Sequence, residues 1–459
     1  MRGSRRTLLA GTLVVLASVG ALVWDGRHAV IALHQETAVR DVDGALVPLG
    51  TGRYAAQSGV LLGPGRVLPT GGGGGAGGGD VTLGTATGMA ARDVGWLASA
   101  EVPGDGTAYA DMARRALLDL RVLTAPAGTS PGAVLAAPST NWRYVWPRDA
   151  AFVAVAYART GRHAEAVEVL GFLQAQQEDD GSLQARYLPT GEAAVPDDRG
   201  LQEDGPGWAL WAVAEVLRAQ TDPVAAEATG QALTPLATRS AARLIAQVDA
   251  VTGLPQPSPD YWEVSEDRLT LGIAATSMVG LEWAAWLRRE GVVADEAWRS
   301  AGVDPDGLER QARGLREALV GAFGPDFPRH VGGRPDAAVT FLLPPFTACA
   351  VPRAEEARRA AVPQMRRPAG GVAPGAGWRS DGISWTPQTG LMALAATSGG
   401  HEAEAAQWLG WLDAHRTRAG SLPEKVLHDG RPAAVAPLAW TSALVVLALT
   451  PTPPSGGAC

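Results

Sequence analysis

The residues with the clearest capacity for chemistry lie together at Trp146, Pro147, Arg148 and Asp149, where an aromatic ring precedes an adjacent arginine and aspartate. A proline favours an extended residue before it and is tolerated in a first helical turn, so the charged pair is predicted where a loop leads into a helix. An indole can stack on the C–H face of a sugar, while the charged groups bond its hydroxyls. The same residues would also suit an aromatic loop that covers a helix end and carries a surface ion pair.

Two glutamates are candidates for acid–base chemistry. Glu263 directly follows Trp262, so its carboxyl is predicted to be partly desolvated, which raises a carboxyl pKa and favours a general acid. Glu424 follows a Gly-Ser-Leu-Pro turn that fixes its approach. Two carboxyls across a tryptophan-rich pocket form the arrangement for glycosidic bond cleavage, in which one protonates the leaving oxygen and the other attacks or activates water. Each glutamate alone could equally cap a helix or pair on the surface, and Glu203 and Glu266 are weaker candidates for the same roles.

The elements that must position these groups are alanine-rich amphipathic helices, which follow one another from residue 109 to residue 449. The apolar periodicity and the Gly and Pro breaks between segments predict twelve helices. Their predicted spans are 109–123, 149–160, 162–177, 204–219, 230–248, 272–289, 306–323, 335–347, 352–365, 387–398, 402–415 and 436–449.

An internal repeat indicates that the helices pair as hairpins. Residues 146–185 and 385–424 align without a gap, and both copies contain a leading Trp, a Gly turn, an Ala-Glu-Ala run and a closing Gly-Ser-Leu. A helical hairpin begins and ends at one end of the pair, with its internal turn at the other. Stacked hairpins that close into a ring would therefore bring the long loops, which contain the Trp, Arg, Asp and Glu residues, to one rim.

Composition excludes several classes of protein. The formal net charge is −8 with no long basic run beyond the N-terminus, so nucleic acid is not an expected partner. The 15 tryptophans outnumber the 6 Tyr and 6 Phe, as an aromatic-lined cleft would require. The only two cysteines, Cys349 and Cys459, and 7 scattered histidines provide no clustered metal-ligand spacing, so neither a metal nor another cofactor is expected. Cys349 lies in an apolar run and is predicted to be in the core, and pairing of the two cysteines stays open.

The N-terminus has the pattern of an export signal. Arginines at positions 2, 5 and 6 precede an uncharged apolar run from Thr7 to Trp24, long enough to span a bilayer. An extracytoplasmic protein, anchored by this segment or secreted, is expected. The predicted domains are a signal peptide or anchor at 1–24, a short irregular or β extension at 25–104 with a Gly-rich linker at 70–79, a helical domain at 105–450 and a tail at 451–459.

Six motifs, in order and at suitable spacing, resemble the signatures of the glucoamylase family, glycoside hydrolase family 15, and suggest an exported bacterial member. They cover roughly residues 105–450 and are Gly132-Ala133-Val134-Leu135-Ala136-Ala137-Pro138, Tyr144-Val145-Trp146-Pro147-Arg148-Asp149, Gln202-Glu203-Asp204-Gly205, Tyr261-Trp262-Glu263, Leu422-Pro423-Glu424 and Pro437-Leu438-Ala439-Trp440.

The resemblance implies an all-α fold, an (α/α)6 barrel of six helical hairpins, and inverting exo-hydrolysis of α-glucosides with release of β-glucose. It implies that Glu263 is the general acid and Glu424 the general base. The residues that it assigns to substrate binding are Trp146, Arg148, Asp149, Asp204, Trp262, Arg379, Trp385 and Trp440. An oligosaccharide is the expected partner, and a monomer is the expected state.

Two departures from the family pattern bear on the substrate. Val264 stands where many members have a second acid, and Trp142 stands where a tyrosine is frequent. The chain also has no room for a large β-sandwich in residues 25–105 and no starch-binding module after Leu449, which favours short soluble α-glucans. The alternatives are a trehalase or an isomalto- or dextran-directed glucohydrolase of the same fold, and a catalytically inert glycan-binding envelope protein.

Overall fold

A computed structural model describes residues 28–40, 45–46, 93, 95–193 and 200–451. Twelve α-helices lie wholly within these residues, together with three short 3-10 helices at Thr140–Trp142, Pro305–Gly307 and Ala337–Leu342. The α-helices are α1 (Ala110–Leu123), α2 (Pro147–Ala158), α3 (His163–Gln176), α4 (Asp204–Ala219), α5 (Pro223–Gln247), α6 (Leu271–Arg289), α7 (Asp295–Ser300), α8 (Leu308–Phe323), α9 (Ala354–Met365), α10 (Thr386–Ser398), α11 (Glu402–Ala414) and α12 (Ala439–Leu449).

The helices form two concentric layers. The inner layer runs α2, α4, α6, the 3-10 helix Ala337–Leu342, α10 and α12, and α12 packs back against α2 to close the ring. The outer helices α1, α3, α5, α8, α9 and α11 pack on the inner layer, and α3 and α5 each contact two neighbouring inner helices. This closed ring of six hairpins confirms the predicted (α/α)6 barrel.

Burial explains which helices are inner. All twelve residues of α2 are buried, including the charged pair in its first turn. A helix that is buried on every side must be apolar or small-residue all round, as this alanine- and valine-rich segment is. The outer helix α8, in contrast, buries only one stripe of side chains and exposes Arg310, Arg313 and Glu317.

An aromatic cluster fills the centre of the ring. Ring centroids in this cluster approach to 4.8 Å. Two further rings, Trp440 and Tyr261, rest on the cluster at 5.8 and 5.9 Å, so the cluster forms a floor beneath them. The cluster consists of Phe152, Trp208, Trp211, Phe341 and Phe346.

The internal repeat corresponds to two matching hairpins, α2–α3 and α10–α11. Gly161 and Gly400 in the internal turns have φ of 74° and 73°, and Gly181 and Gly420 in the exit loops both have φ of 81°. Residues with a side chain rarely adopt this left-handed backbone conformation, which explains why both copies have glycine there. The predicted repeat of helical hairpins is confirmed.

Three helix predictions need correction. Residues 335–347 are not an α-helix but the short 3-10 helix Ala337–Leu342, because Pro344 and Pro345 cannot continue a helix. Helix α5 begins at Pro223 rather than at 230, capped by the Asp222 side chain, and Pro235 lies inside it. The short helix α7 was not predicted.

A small antiparallel sheet connects two rim loops. It consists of β1 (Ser384–Trp385), β2 (Lys425–Val426) and β3 (Pro432–Ala433) in the order β1-β2-β3. Trp385 pairs with Lys425, which brings the start of α10 beside Glu424.

The predicted signal or anchor at 1–24, the Gly-rich linker at 70–79 and most of the tail lie outside the described residues. No helix within the described ranges is long and apolar enough to cross a bilayer. Cys349 is disulfide-bonded, and the other cysteine of the sequence, Cys459, lies outside the described residues.

Candidate active site

A cavity of about 140 Å³ opens at the end of the barrel where the long loops meet. Drug-sized ligands occupy roughly 300–1,000 Å³, so this space suits a single sugar ring. The structure brings both candidate glutamates and six predicted binding residues into its lining. The lining residues are Ala136, Trp142, Trp146, Arg148, Asp149, Tyr261, Trp262, Glu263, Pro374, Trp378, Trp385, Pro387, Gln388, Glu424, Leu438 and Trp440.

The charged pair lies in the first turn of α2, as predicted. Trp146 is its extended N-cap residue with ψ of 132°, and Pro147 is its first residue. Arg148 Nη2 lies 3.2 Å from Asp149 Oδ2 and 3.6 Å from Glu263 Oε1. The guanidinium also lies 4.5 Å from the ring centroid of Trp440, so an ion pair and a cation–π contact both hold it in place.

Asp204 supports this arginine from behind and does not line the cavity. Its Oδ2 lies 3.8 Å from Arg148 Nη1, and its Oδ1 accepts a hydrogen bond from Gln202 Nε2 at 3.1 Å. Burial raises the pKa of Asp204 to about 7 and that of Asp149 to about 6, although Arg148 lowers both. The predicted binding residue Asp204 therefore contacts Arg148 instead of the cavity.

A tight turn holds Glu263 in an unusual backbone conformation. The Glu263 N–H donates to the Asp260 carbonyl at 2.8 Å, and the Trp262 N–H donates to Asp260 Oδ1 at 2.9 Å. Glu263 has φ of +55°, and such left-handed non-glycine residues persist only where the surroundings over-determine them. Its side chain is 31% exposed. This exposure is greater than expected from the predicted desolvation of the carboxyl beside Trp262.

Glu424 is the more deeply buried of the two glutamates, with 11% of its side chain exposed. Its N–H donates to the Val435 carbonyl at 2.8 Å, next to the β2–β3 pairing. Burial raises the pKa of the Glu424 carboxyl and the Glu263 charge raises it further, while Lys425 and the Trp142 indole lower it. The Lys425 Nζ atom lies 3.4 Å from Glu424 Oε2.

Residues 28–40, which we term the N-terminal strap, extend this sheet on the Glu424 side. The Ala434 N–H donates to the Ala32 carbonyl at 3.1 Å, the His34 N–H donates to the Ala434 carbonyl at 2.7 Å, and the Ala436 N–H donates to the Gln35 carbonyl at 2.9 Å. These bonds fix the two neighbours of Val435, the residue that holds the Glu424 backbone. The His34 ring also lies 6.1 Å from the ring of Trp142, which lines the cavity.

Several buried polar atoms of the lining residues have no hydrogen-bond partner among the described residues. Each such atom costs about 1–3 kcal/mol unless a ligand or water satisfies it. These atoms belong to residues that line the cavity, and a ligand with several hydroxyl groups is one way to satisfy them. The atoms are Nε and Nη1 of Arg148, Oδ2 of Asp149, Nε1 of Trp262, Trp378, Trp385 and Trp440, Oε1 of Gln388 and Oε2 of Glu424.

Arg379 is the predicted binding residue that lies furthest from this arrangement. It is exposed and does not line the cavity. Its guanidinium lies 5.7 Å from the Trp378 ring, and its carbonyl accepts a hydrogen bond from Arg367 Nη2 at 3.2 Å. The neighbouring Trp378 lines the cavity in its place.

Other lining residues were not predicted as site residues. Trp142, Tyr261 and Trp378 belong to motifs or loops that the sequence analysis singled out, so their aromatic character was a usable signal. Gln388 had none, because it lies among the small residues of α10. Within the part of the chain that the structure describes, no group of three His, Cys, Asp or Glu side chains could hold a metal ion.

The ring of hairpins and the carboxyl pair in an aromatic cavity define a glycosidase of the six-hairpin class. Residues 111–288 match the model of glycosyl hydrolases family 15, and this match supports a glycoside hydrolase that is similar to that family. No curated protein sequence matches the chain.

Solved structures show the same fold at low sequence identity. A glycosidase variant in complex with glucose is 20% identical, with a TM-score of 0.60 over 74% of this chain and 97% of that chain. A bacterial glucoamylase complexed with acarbose is 15% identical, with a TM-score of 0.61 over 81% of this chain and 61% of that chain. The glucoamylase from Saccharomycopsis fibuligera is 15% identical, with a TM-score of 0.56 over 70% and 89% of the two chains.

Proposed function

We propose that this protein is an inverting, exo-acting α-glucoside hydrolase that releases β-glucose from the non-reducing ends of short soluble α-glucans. The observation that carries the proposal is the presence of Glu263 and Glu424 in one cavity with room for a single sugar ring. Room for one sugar ring supports action at the end of a chain. The glucose and acarbose complexes of proteins with this fold support a glucoside as the ligand.

The terminal glucose would be held by Arg148 and Asp149, with indole rings as walls. Glu263 would donate its proton to the glycosidic oxygen as the bond from that oxygen to the anomeric carbon breaks. Glu424 would take a proton from a water molecule whose oxygen attacks the anomeric carbon from the opposite face. The products are β-glucose and the shortened alcohol, and inversion requires a carboxyl separation of about 6.5–9.5 Å.

Exposure supports this division of roles. The leaving group is the part of the substrate that extends to the mouth of the cavity, and Glu263 is the more exposed carboxyl, at 31% against 11%. Glu424 lies deeper, away from the leaving group, which leaves it the role of activating the water. The pair is coupled, because a charge on Glu263 raises the pKa of Glu424.

The test is to incubate the protein with maltose, isomaltose, trehalose and maltotetraose and to follow the released anomer by NMR. We expect β-glucose from maltose and maltotetraose, and no turnover but retained sugar binding in Glu424→Gln. Release of α-glucose would refute inversion, and preference for trehalose or isomaltose would reassign the substrate. Sugar binding without turnover by the wild type would identify a glycan-binding protein.

We also propose that the protein acts outside the cytoplasm, anchored by its N-terminal segment or secreted, as a monomer. The basic and apolar pattern of residues 1–24 supports export. The disulfide of Cys349 supports an oxidising compartment. Fractionation of cells that express the full chain, with and without residues 1–24, tests this: loss of the extracytoplasmic fraction on deletion is expected, and an unchanged cytoplasmic location would refute it.

A further inference from the structure

A buried arginine outside the cavity organises the loop that carries Glu263. Arg329 Nη1 and Nη2 donate to Asp260 Oδ2 and Oδ1, each at 2.9 Å. The same guanidinium donates to Glu266 Oε1 at 2.5 Å and to Asp336 Oδ2 at 3.3 Å. Its side chain is only 7% exposed, so this arginine and the carboxylates around it are shielded from competing water.

The arginine acts on the acid loop through two contacts. Its forked pair with Asp260 fixes the carboxylate that accepts from the Trp262 N–H and therefore forms the turn before Glu263. Its guanidinium also lies 3.8 Å from the centroid of the Trp262 ring. Arg329 therefore holds both Asp260 and Trp262 of the turn. Glu263 follows Trp262 directly and has a left-handed φ of +55°.

The rest of the network extends the same support. The Tyr261 hydroxyl donates to Asp336 Oδ1 and to the Pro374 carbonyl. Asp336, whose side chain is 0% exposed, would remain as an unpaired buried charge without the arginine. Only a planar, forked cation can bond several carboxylates and stack on an indole at once, so lysine cannot replace it.

We propose that Arg329 is a positioning residue for the general acid, holding the Asp260–Glu263 turn so that the Glu263 carboxyl meets the leaving oxygen. Arg329 lines no part of the cavity and does not contact the substrate. The inference rests on the proposed function, in which Glu263 is the proton donor. A displaced donor impairs reactions that need leaving-group protonation far more than reactions that do not.

The experiment compares maltose, whose leaving group needs a proton, with α-glucosyl fluoride, whose leaving group needs much less. We expect Arg329→Lys to lower kcat for maltose about a hundredfold and kcat for the fluoride less than about tenfold, in keeping with general-acid contributions of roughly 10²–10⁴. Asp260→Asn is the second variant, because its amide oxygen can still accept from Trp262 while the ion pair is lost. Asp260→Asn should also lose more kcat for maltose than for the fluoride. It keeps the proposal testable where Arg329→Lys folds poorly.

Arg358 offers a matched control in the outer layer. Its fully buried side chain joins Glu355 at 2.7 Å and Glu404 at 2.6 Å, between α9 and α11. Arg358→Lys should lower Tm but leave the ratio of the two kcat values unchanged. An equal loss on both substrates in Arg329→Lys and Asp260→Asn, or the same selectivity in Arg358→Lys, would overturn the inference.

The wild type separates this inference from the proposed function. A wild type that hydrolyses neither glucoside would overturn the proposed function and the inference with it. If the wild type is active and the ratio of kcat for maltose to kcat for the fluoride is the same in the Arg329 and Asp260 variants as in the wild type, only the inference is overturned.

Discussion

Replacing Arg148 with lysine tests whether the cavity grips a sugar as its geometry indicates. Two guanidinium atoms, Nε and Nη1, have no hydrogen-bond partner among the described residues, and each can bond a sugar hydroxyl. A hydrogen bond to a charged group is worth about 1.5–3 kcal/mol. A lysine ammonium can restore one of the two bonds, so the expected net loss is about 1.5–3 kcal/mol, or about ten- to a hundredfold in kcat/KM at roughly 1.4 kcal/mol per factor of ten.

The assay measures kcat/KM for maltose and the melting temperature of each variant. Arg148→Lys keeps a positive charge near Asp149 and Glu263, so it avoids the larger penalty of leaving buried carboxylates without a cation. The matched control is Arg159→Lys at the far end of the same helix, roughly 16 Å away at 1.5 Å per residue. Arg159 is similarly buried and pairs with Glu215, whose side chain is 0% exposed.

We expect Arg159→Lys to lower the melting temperature and to leave kcat/KM within about threefold of the wild type. Arg148→Lys retaining full kcat/KM would refute the assignment of its free N–H groups to sugar binding. An equal loss of kcat/KM in both variants would show that disturbance of α2, rather than loss of sugar contacts, explains the effect.

Two further predictions concern the Glu424 side of the cavity. Because the Lys425 charge lowers the pKa of Glu424, Lys425→Gln should move the acidic limb of the kcat profile for maltose to higher pH. An acidic limb that stays in place or moves to lower pH would contradict that coupling. His34→Pro removes the N–H that donates to the Ala434 carbonyl. One hydrogen bond contributes about 0.5–1.5 kcal/mol, so the variant should lower kcat for maltose by up to about tenfold. The control is Val30→Pro, at a strap residue that is 74% exposed, and it should change kcat for maltose little. Equal losses of kcat in the two variants would argue against a role of the strap pairing.

The parts of the site that could be predicted from the sequence depend on local rules. Trp146 and Pro147 indicated a helix start, and Arg148 and Asp149 accordingly lie in the first turn of α2. The repeat indicated hairpins, and hairpins that close into a ring bring their long loops to one end. Local spacing combined with the geometry of helical pairs was therefore enough to gather most of the cavity.

Other features of the site required knowledge of side-chain direction or of distant partners. Trp378 and Arg379 are adjacent, yet the tryptophan lines the cavity and the arginine is exposed. Asp204 occupies the right motif but lies behind Arg148. Trp262, next to Glu263, packs against Arg329, a contact between residues far apart in the chain.

The failed helix prediction at 335–347 coincides with the network behind the Glu263 loop. Asp336 precedes the 3-10 helix Ala337–Leu342 and caps it by accepting from the Ala338 N–H at 2.8 Å. The same carboxylate bonds Tyr261 and Arg329, which hold the loop of Glu263. A regular inner helix starting at 335 would enclose Asp336 in its first turn, away from the extended conformation that it has as a cap. Departures from local regularity are expected where a fold serves its site. Here one inner element of the barrel is shortened at Asp336, the residue that links it to the loop of Glu263.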